Sequence, residues 1–204
     1  MFPPRRPCPA GGPRLAFCSV VRDERVGAAP GRLVAVGISG SPSATSKSRV
    51  LVEHALAQLE ARGAAVRLID VATLPADALL GRGSASQLTD ALARVAEARI
   101  VVAGTPVYRA TYSGLLKVFF DLLPQDALVG KVGVPIVTGH GVAHSLALDH
   151  GLRPLFASVG ATVIAHGVYA TSEQSADGTP AAELRAAVDR AVREAVALAS
   201  AGSD

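Results

Sequence analysis

The chain lacks several residue types on which whole classes of protein depend. Its 204 residues include no tryptophan, one methionine and two cysteines, and aromatic residues make up 4%. Cys8 and Cys18 cannot form a disulfide scaffold or a four-ligand zinc site, so reduced thiols and a cytoplasmic location are expected. Apolar runs extend over only a few residues, whereas a membrane-spanning helix needs roughly 20. No membrane association is therefore predicted.

An excess of charge of one sign is also absent from most of the chain. The formal net charge is +3, while the first 32 residues alone hold six arginines against Asp23 and Glu24. The rest of the chain is thus close to neutral. Because a nucleic-acid-binding domain carries its basic residues along one face, no nucleic-acid partner is expected.

Residues 1–31 form a segment rich in proline, glycine and arginine. Five prolines fall within the first 13 residues, where they remove backbone donors and block helix formation. The segment also lacks the apolar stretch of a secretory signal. We expect a disordered leader over residues 1–31 and one domain over residues 32–204, for whose core an apolar content of 50% is ample.

From residue 32 onwards, apolar runs alternate with helical periodicities. The pattern predicts strands over 33–38, 66–71, 100–103, 132–137 and 161–165, and helices over 50–62, 88–98, 114–123, 143–158 and 181–200. Five strands alternating with five helices indicate an α/β fold of three layers around a parallel sheet. The natural candidate is the flavodoxin-like fold, with strand order 2-1-3-4-5. Pro135 is unusual inside a strand, and Gly151 and Pro154 are unfavourable inside a helix.

The loop after the first predicted strand is rich in hydroxyl groups. It reads Ser39-Gly-Ser-Pro-Ser-Ala-Thr-Ser-Lys-Ser48 and opens a helix. A helix N-terminus attracts an anion, and hydroxyl groups can donate to phosphate oxygens. The loop matches neither the Walker A pattern nor the Gly-x-Gly-x-x-Gly fingerprint. It therefore indicates a phosphate site of another kind, or simply a serine-rich turn with an N-cap.

The loops after the third and fourth predicted strands suit a flat ligand. One begins Thr105-Pro-Val-Tyr108 and is stiffened by its proline. The other reads Thr138-Gly-His-Gly141, whose glycines let a backbone approach a ring closely. In a 2-1-3-4-5 sheet these two loops lie beside the hydroxyl-rich loop. A phosphate site next to two loops that bracket a plane describes a site for FMN, although Tyr108 could equally be an ordinary half-buried tyrosine.

Three stretches of the sequence resemble one family of flavin enzymes. They are Gly40-Ser-Pro42 with Ser46-Lys-Ser48, then Thr105 to Lys117 continuing to Asp121-Leu-Leu-Pro124, and finally Gly130 to Gly139 with Val142-Ala-His144 and Leu152-Arg-Pro154. Together they are similar to the NADPH-dependent FMN reductases, in particular those of sulfonate assimilation, over about residues 33–170. The resemblance implies a flavodoxin-like fold, FMN with NADPH or NADH, and delivery of reduced flavin to a flavin-dependent monooxygenase acting on organosulfonates.

The resemblance also implies which residues bind the cofactor. No catalytic residue is expected, because the cofactor carries the hydride chemistry and the protein supplies position. Arg109 is a candidate contact for the NADPH phosphate, or else a solvated arginine. Ser43 stands where many family members have an arginine, which leaves Lys47 as the nearby cation. The cofactor-binding residues expected on this basis are Ser41, Ser43, Ser46, Lys47, Ser48, Thr105, Pro106, Val107, Tyr108, Thr138, Gly139 and Gly141.

Two further expectations concern assembly and metal. The predicted helix at 114–123 is apolar nearly all round, so a homo-oligomer with Leu116, Phe119 and Phe120 at an interface is expected. The resemblance points to a dimer that pairs into a tetramer at a π-bulge, where His150 occupies the inserted position. The histidines of this region are not spaced as metal ligands, so no metal site is expected.

Two other functions remain open from the sequence alone. The first is an electron-transfer flavoprotein of the flavodoxin kind, which binds FMN tightly and catalyses nothing itself. The second is a quinone or azo-dye reductase on the same fold, which differs only in its electron acceptor.

Overall fold

The computed structural model describes residues 32–171, 173–175 and 179–201. The predicted leader at residues 1–31, with both cysteines, lies outside the described residues. The elements are β1 (Val34–Ser39), α1 (Lys47–Glu60), β2 (Ala65–Asp70), α2 (Ala76–Leu79), α3 (Ser86–Glu97), β3 (Ile100–Tyr108), β4 (Thr111–Tyr112), α4 (Gly114–Asp121), β5 (Val132–Gly139), α5 (Arg153–Ser158), β6 (Thr162–Val163), β7 (Val168–Thr171) and α6 (Ala182–Ala201). Short 3₁₀ turns lie at 71–73, 142–145 and 173–175, and a π-helix at Leu148–Leu152.

The main strands form one parallel sheet in the order β2-β1-β3-β5-β6. Further along β5, β7 pairs in parallel with the same strand. The short β4 folds back antiparallel on β3. The predicted flavodoxin-like order is confirmed. Over the described residues the sheet has seven strands rather than five, because β4 is added and because the predicted strand at 161–165 contains only β6 and is followed by a further strand, β7.

Side chains replace strand pairing where the outer strand is split. Arg153 donates to the carbonyls of Ile164 and Ala165, the latter at 2.5 Å. Glu194 of α6 accepts the backbone N–H groups of Ala165 and His166 at 2.5 and 3.1 Å. The backbone can leave the sheet here because its polar groups keep hydrogen-bond partners.

Each face of the sheet is covered by apolar side chains. On one face, α1 and α6 pack over Ala35, Val102 and Ile136, and on the other α3, α4 and α5 pack over Val36, Ile38 and Val101. Helix α1 lies close to the sheet, since a Cβ at Gly37 would come within 2.6 Å of Val52. Within the described residues, no helix is both long and apolar enough to cross a membrane.

The predicted helix at 143–158 is not one regular helix. A 3₁₀ turn leads into the π-helix Leu148–Leu152, and α5 follows directly. Gly151 lies in the π-helix against β4, where a Cβ would be 2.5 Å from the hydroxyl of Thr111. Pro154 lies in the first turn of α5, where a missing N–H is tolerated. The two residues that disfavour a regular helix thus mark the π-helix and the first turn of the helix that follows it.

One face of helix α4 is buried inside its own chain, while Leu115 and Val118 are only partly buried. Leu116, Phe119 and Phe120 are 0%, 0% and 2% exposed. The ring of Phe120 packs edge-on against Phe156 of α5, with 5.5 Å between centroids. These three side chains leave no surface for a second copy, so the expectation that they form an interface is corrected. His150 is exposed on the π-helix.

Candidate cofactor site

A cleft of about 320 Å³ opens where β1, β3 and β5 end. Its volume is at the lower end of the range for small-molecule sites. Ligands of open parallel sheets bind at this edge, and the three loops predicted to lie side by side do so. The cleft is lined by Ser41, Ser43, Thr45, Ser46, Lys47, Pro106, Val107, Tyr108, Thr138, Gly139 and His140. Thr45 and His140 are additions to the residues predicted from the sequence.

Two of the predicted residues lie behind the cleft wall, and a third, the half-buried Gly141, is not among the lining residues. Ser48 and Thr105 are fully buried. The Ser48 hydroxyl lies 2.9 Å from that of Ser46, and Thr105 donates to the carbonyl of Pro106 at 3.0 Å. The carbonyl of Gly141 accepts a hydrogen bond from Tyr169. These residues support the lining without forming it.

The hydroxyl-rich loop ends in a capped helix N-terminus. Ser46 is the N-cap of α1, and its hydroxyl accepts the N–H of Arg49 at 3.2 Å. The N–H of Ser43 donates to the hydroxyl of Ser41 at 3.2 Å. The loop therefore turns tightly and presents hydroxyl groups at the positive end of a helix of 14 residues.

Lys47 is the cation at this end of the cleft. Arg49, two residues further along α1, forms ion pairs with Glu53 at 2.8 Å and Asp70 at 2.6 Å. Its hydrogen bond to Glu53 raises the pKa of the guanidinium. Among the described lining residues, Lys47 alone is a lysine or arginine. The expectation that Lys47 is the cation of this loop rests on that placement.

A buried hydroxyl lies beneath the loop. Ser39, the last residue of β1, is 1% exposed, and its Oγ has no hydrogen-bond partner among the described residues. It is aligned with Asp70 on one neighbouring strand and with Gly104 on the other. An unsatisfied buried hydroxyl is uncommon. Sequence reasoning included Ser39 only as one hydroxyl among six, because its burial depends on the packing of α1.

A tight hairpin forms the wall at Pro106, Val107 and Tyr108. The turn between β3 and β4 consists of Arg109 and Ala110, whose φ values of 50° and 73° both lie in the left-handed region. Two such residues make a type I′ turn, which usually contains glycine or asparagine. Residues other than glycine are strained there, and such strain is concentrated at functional sites. Tyr108 is 48% exposed at the rim of the cleft.

The loop at the end of β5, Thr138 to Gly141, is held from behind by two side chains. The N–H of His140 donates to Nδ1 of His144 at 3.3 Å, and the Tyr169 hydroxyl donates to the Gly141 carbonyl. Burial raises the pKa of that tyrosine hydroxyl. A Cβ at Gly139 would collide with Tyr169 and His144. Glycine is therefore required for the backbone to pass between these side chains.

The arrangement can hold an anion at one end and a flat ring at the other. Hydroxyl groups, helix amides and Lys47 supply donors for a phosphate. The Pro106–Tyr108 wall and the Thr138–His140 loop supply two stiff surfaces beyond it. The donor set and the shape both fit FMN.

Comparison with known proteins points in the same direction. The family model described as NADPH-dependent FMN reductase matches residues 34–176. An FMN reductase (NADPH) of Pseudomonas putida strain KT2440 is 36% identical over 167 residues, covering 80% of this chain and 85% of that protein. The NADH-dependent FMN reductase SfnE of Pseudomonas putida is 36% identical over 166 residues, covering 77% and 89%.

A solved structure resembles the whole described fold. The apo form of the NADH:FMN oxidoreductase EMOB superposes with a TM-score of 0.75 at 36% sequence identity. The match covers 83% of this chain and 89% of that one.

Proposed function

This chain belongs to the NADPH-dependent FMN reductase family, and on that premise we propose that it reduces FMN with a nicotinamide nucleotide. The observation that carries the proposal is the hydroxyl-lined N-terminus of α1 beside two stiff loops in one cleft. Relatives are named as NADPH- and as NADH-dependent FMN reductases. We propose NADPH as the donor and NADH as the alternative.

The residues of the cleft would hold FMN by its two ends. Ser41, Ser43, Ser46 and Lys47 would bind the phosphate through hydroxyl groups, helix amides and one positive charge. Bound FMN supplies the hydride acceptor of the reaction.

The protein's own contribution is to position the ring and restrict water. Pro106, Val107 and Tyr108 would support one side of the ring, and Thr138 and Gly139 the other. Ser48 and Thr105 would act from behind the lining, and Gly141 through its hydrogen bond with Tyr169, by holding these loops. No side chain is assigned a proton transfer, because hydride transfer to a flavin requires none from the protein.

Arg109 is our proposed contact for the nicotinamide nucleotide. It lies at the tip of the β3–β4 hairpin, directly after Tyr108 of the cleft wall, and its side chain is exposed. It forms no ion pair with any other described residue. A guanidinium is suited to bind a phosphate by two parallel hydrogen bonds. We propose that it contacts a phosphate of NADPH.

The reduced flavin would serve a separate enzyme. The motif resemblance to sulfonate-assimilation reductases supports a two-component system, in which a flavin-dependent monooxygenase oxidises an organosulfonate. Exposure of Tyr108 at the rim supports a cleft from which flavin can leave. We place this reaction in the cytoplasm, in keeping with the scarcity of cysteine.

The experiment follows NADPH and NADH oxidation by the purified protein with and without added FMN. The expected result is a nearly colourless protein whose oxidation rate rises with FMN concentration and saturates. A yellow protein with stoichiometric FMN that oxidises NADPH only when a quinone or azo dye is added would favour a reductase of those acceptors. Tight FMN without NADPH oxidation would favour an electron-transfer flavoprotein.

A further inference from the structure

Ser113 connects the hydroxyl-rich loop to the cleft wall without lining the cleft. Its side chain is 1% exposed. Its hydroxyl donates to the carbonyl of Gly40 and accepts the N–H of Leu116 at 3.1 Å. Its backbone N–H donates to the hydroxyl of Thr105 at 2.9 Å. One buried residue at the start of α4 thus contacts both the loop that follows β1 and the strand β3.

Gly40 is the point at which this connection holds the hydroxyl-rich loop. Its N–H donates to the Gly104 carbonyl at 2.8 Å. Its α-carbon lies so close to Leu116 that a Cβ would come within 2.5 Å of that side chain. Ser41, the next residue, is the first of the lining hydroxyl groups. The direction in which the loop leaves β1 is therefore set by β3 and α4.

We propose that Ser113 is a positioning residue for the phosphate end of bound FMN. The proposal rests on the proposed function and adds a residue that touches neither FMN nor NADPH. Ser113 acts through Gly40, whose carbonyl it holds so that Ser41, Ser43 and Ser46 converge on one anion. Ser113 is also the N-cap of α4. The hydroxyl that holds the Gly40 carbonyl therefore also caps this helix.

Loss of the hydroxyl leaves two buried backbone groups without a partner. In Ser113→Ala, the Gly40 carbonyl loses its donor and the Leu116 N–H loses its acceptor, while the bond from the Ser113 N–H to Thr105 remains. A buried carbonyl without a donor destabilises the loop conformation that contains it. The hydroxyl-rich loop then adopts its phosphate-binding conformation for a smaller fraction of the time. The apparent affinity for FMN falls in proportion to that fraction.

The test measures FMN and riboflavin affinities by quenching of flavin fluorescence, together with thermal unfolding without flavin. Ser113→Ala is expected to weaken FMN binding about five- to tenfold and riboflavin binding less than twofold. Ser113→Gly also removes the hydroxyl but keeps a residue that caps helices well. It is expected to weaken FMN binding as much as Ser113→Ala does, and to lower Tm by less. Ser113→Thr keeps a hydroxyl at this position and is expected to keep the FMN affinity of the unaltered protein.

A matched control removes a hydroxyl that also donates to a backbone carbonyl, but away from the cleft. Ser158 donates to Leu155 at 2.8 Å, and Ser158→Ala is expected to leave both flavin affinities unchanged. Unchanged FMN affinity in Ser113→Ala and Ser113→Gly, or an equal loss of FMN and riboflavin affinity, would overturn the proposal that Ser113 positions the phosphate loop. If the unaltered protein bound riboflavin as tightly as FMN, the phosphate site itself would fail, and the proposed function with it.

Discussion

At the scale of single residues, Lys47 provides the most direct test of the phosphate end. Lys47→Ala is expected to weaken FMN at least severalfold and to leave riboflavin nearly unaffected, because a charge-assisted hydrogen bond contributes about 1.5–3 kcal/mol. Fluorescence titration with both flavins measures the effect. Arg49→Ala is the matched control, since that arginine is engaged by Glu53 and Asp70. Equal losses for both flavins in Lys47→Ala would contradict the placement of the phosphate.

Replacement of Ser39 by alanine is expected to stabilise the flavin-free protein. Its buried hydroxyl has no partner among the described residues, and an unsatisfied buried group costs about 1–3 kcal/mol. Ser39→Ala is therefore expected to raise the free energy of unfolding, as measured by denaturant titration without flavin.

Ser48→Ala, in the first turn of α1, is the opposite case. That hydroxyl is equally buried but is paired with Ser46 at 2.9 Å, so its loss is expected to lower stability. A fall in stability for Ser39→Ala would show that the Ser39 hydroxyl has a partner in solution.

At the scale of elements, Glu194 ties α6 to the break between β6 and β7. Partial burial opposes ionisation, but hydrogen bonds from the Ala165 N–H, the His166 ring and the His166 N–H outweigh it and lower the pKa of Glu194. A carboxyl whose pKa is lowered in the folded state stabilises the fold above its ordinary pKa of 4.5. That stability is lost as pH falls through the lower, folded value.

Glu194→Gln is accordingly expected to be less stable than the unaltered protein at pH 6, by on the order of 1 kcal/mol. The difference is expected to shrink as pH falls below 4.5. Thermal unfolding of both proteins between pH 6 and pH 3.5 measures it. A constant difference over this range would mean that the carboxylate charge plays no part.

The elements also show how far the sequence predicts this structure. Strand order and the meeting of three loops were predictable, because apolar runs of period and length typical of buried strands recur with helices between them. The π-helix was not evident from periodicity alone. Its position was indicated by resemblance, and Gly151 and Pro154 marked the irregularity.

The contacts behind the cleft could not be predicted from the sequence. Ser113 and Ser39 lie among many serines, and what distinguishes them is that both are buried, and that the Ser113 hydroxyl meets a backbone carbonyl while the Ser39 hydroxyl has no hydrogen-bond partner among the described residues. Helix α4 shows the converse limit. Its apolar surface suggested a partner at Leu116, Phe119 and Phe120, but α5 and the sheet cover these three side chains within the chain, which no local pattern reveals.

At the scale of the whole molecule, self-association is expected through the segment that follows β5. Val142 and Leu146 are 77% and 59% exposed, and His150 follows them on the π-helix. Large exposed apolar side chains close together mark contact surfaces. The combined variant Val142→Ser, Leu146→Ser is expected to dissociate in sedimentation experiments at micromolar concentration. Leu80→Ser is the control, as Leu80 is 57% exposed elsewhere.

His150→Ala is expected to weaken the same association, in line with the π-bulge that the family resemblance associates with tetramers. An unaltered protein that sediments as a monomer would contradict the association altogether. A control variant that dissociates equally would show that exposure, and not this segment, governs the result.

The break in the outer strand has a consequence for how the molecule avoids unwanted aggregation. An edge strand with free N–H and C=O groups can recruit an extended segment of another chain. Here the edge offers two residues in β6 and four in β7, and the backbone between them is already occupied by Arg153 and Glu194. An incoming strand would find too short a template on either side of the break. The two side chains that hydrogen-bond the backbone at this break therefore also limit extension of the sheet at this edge.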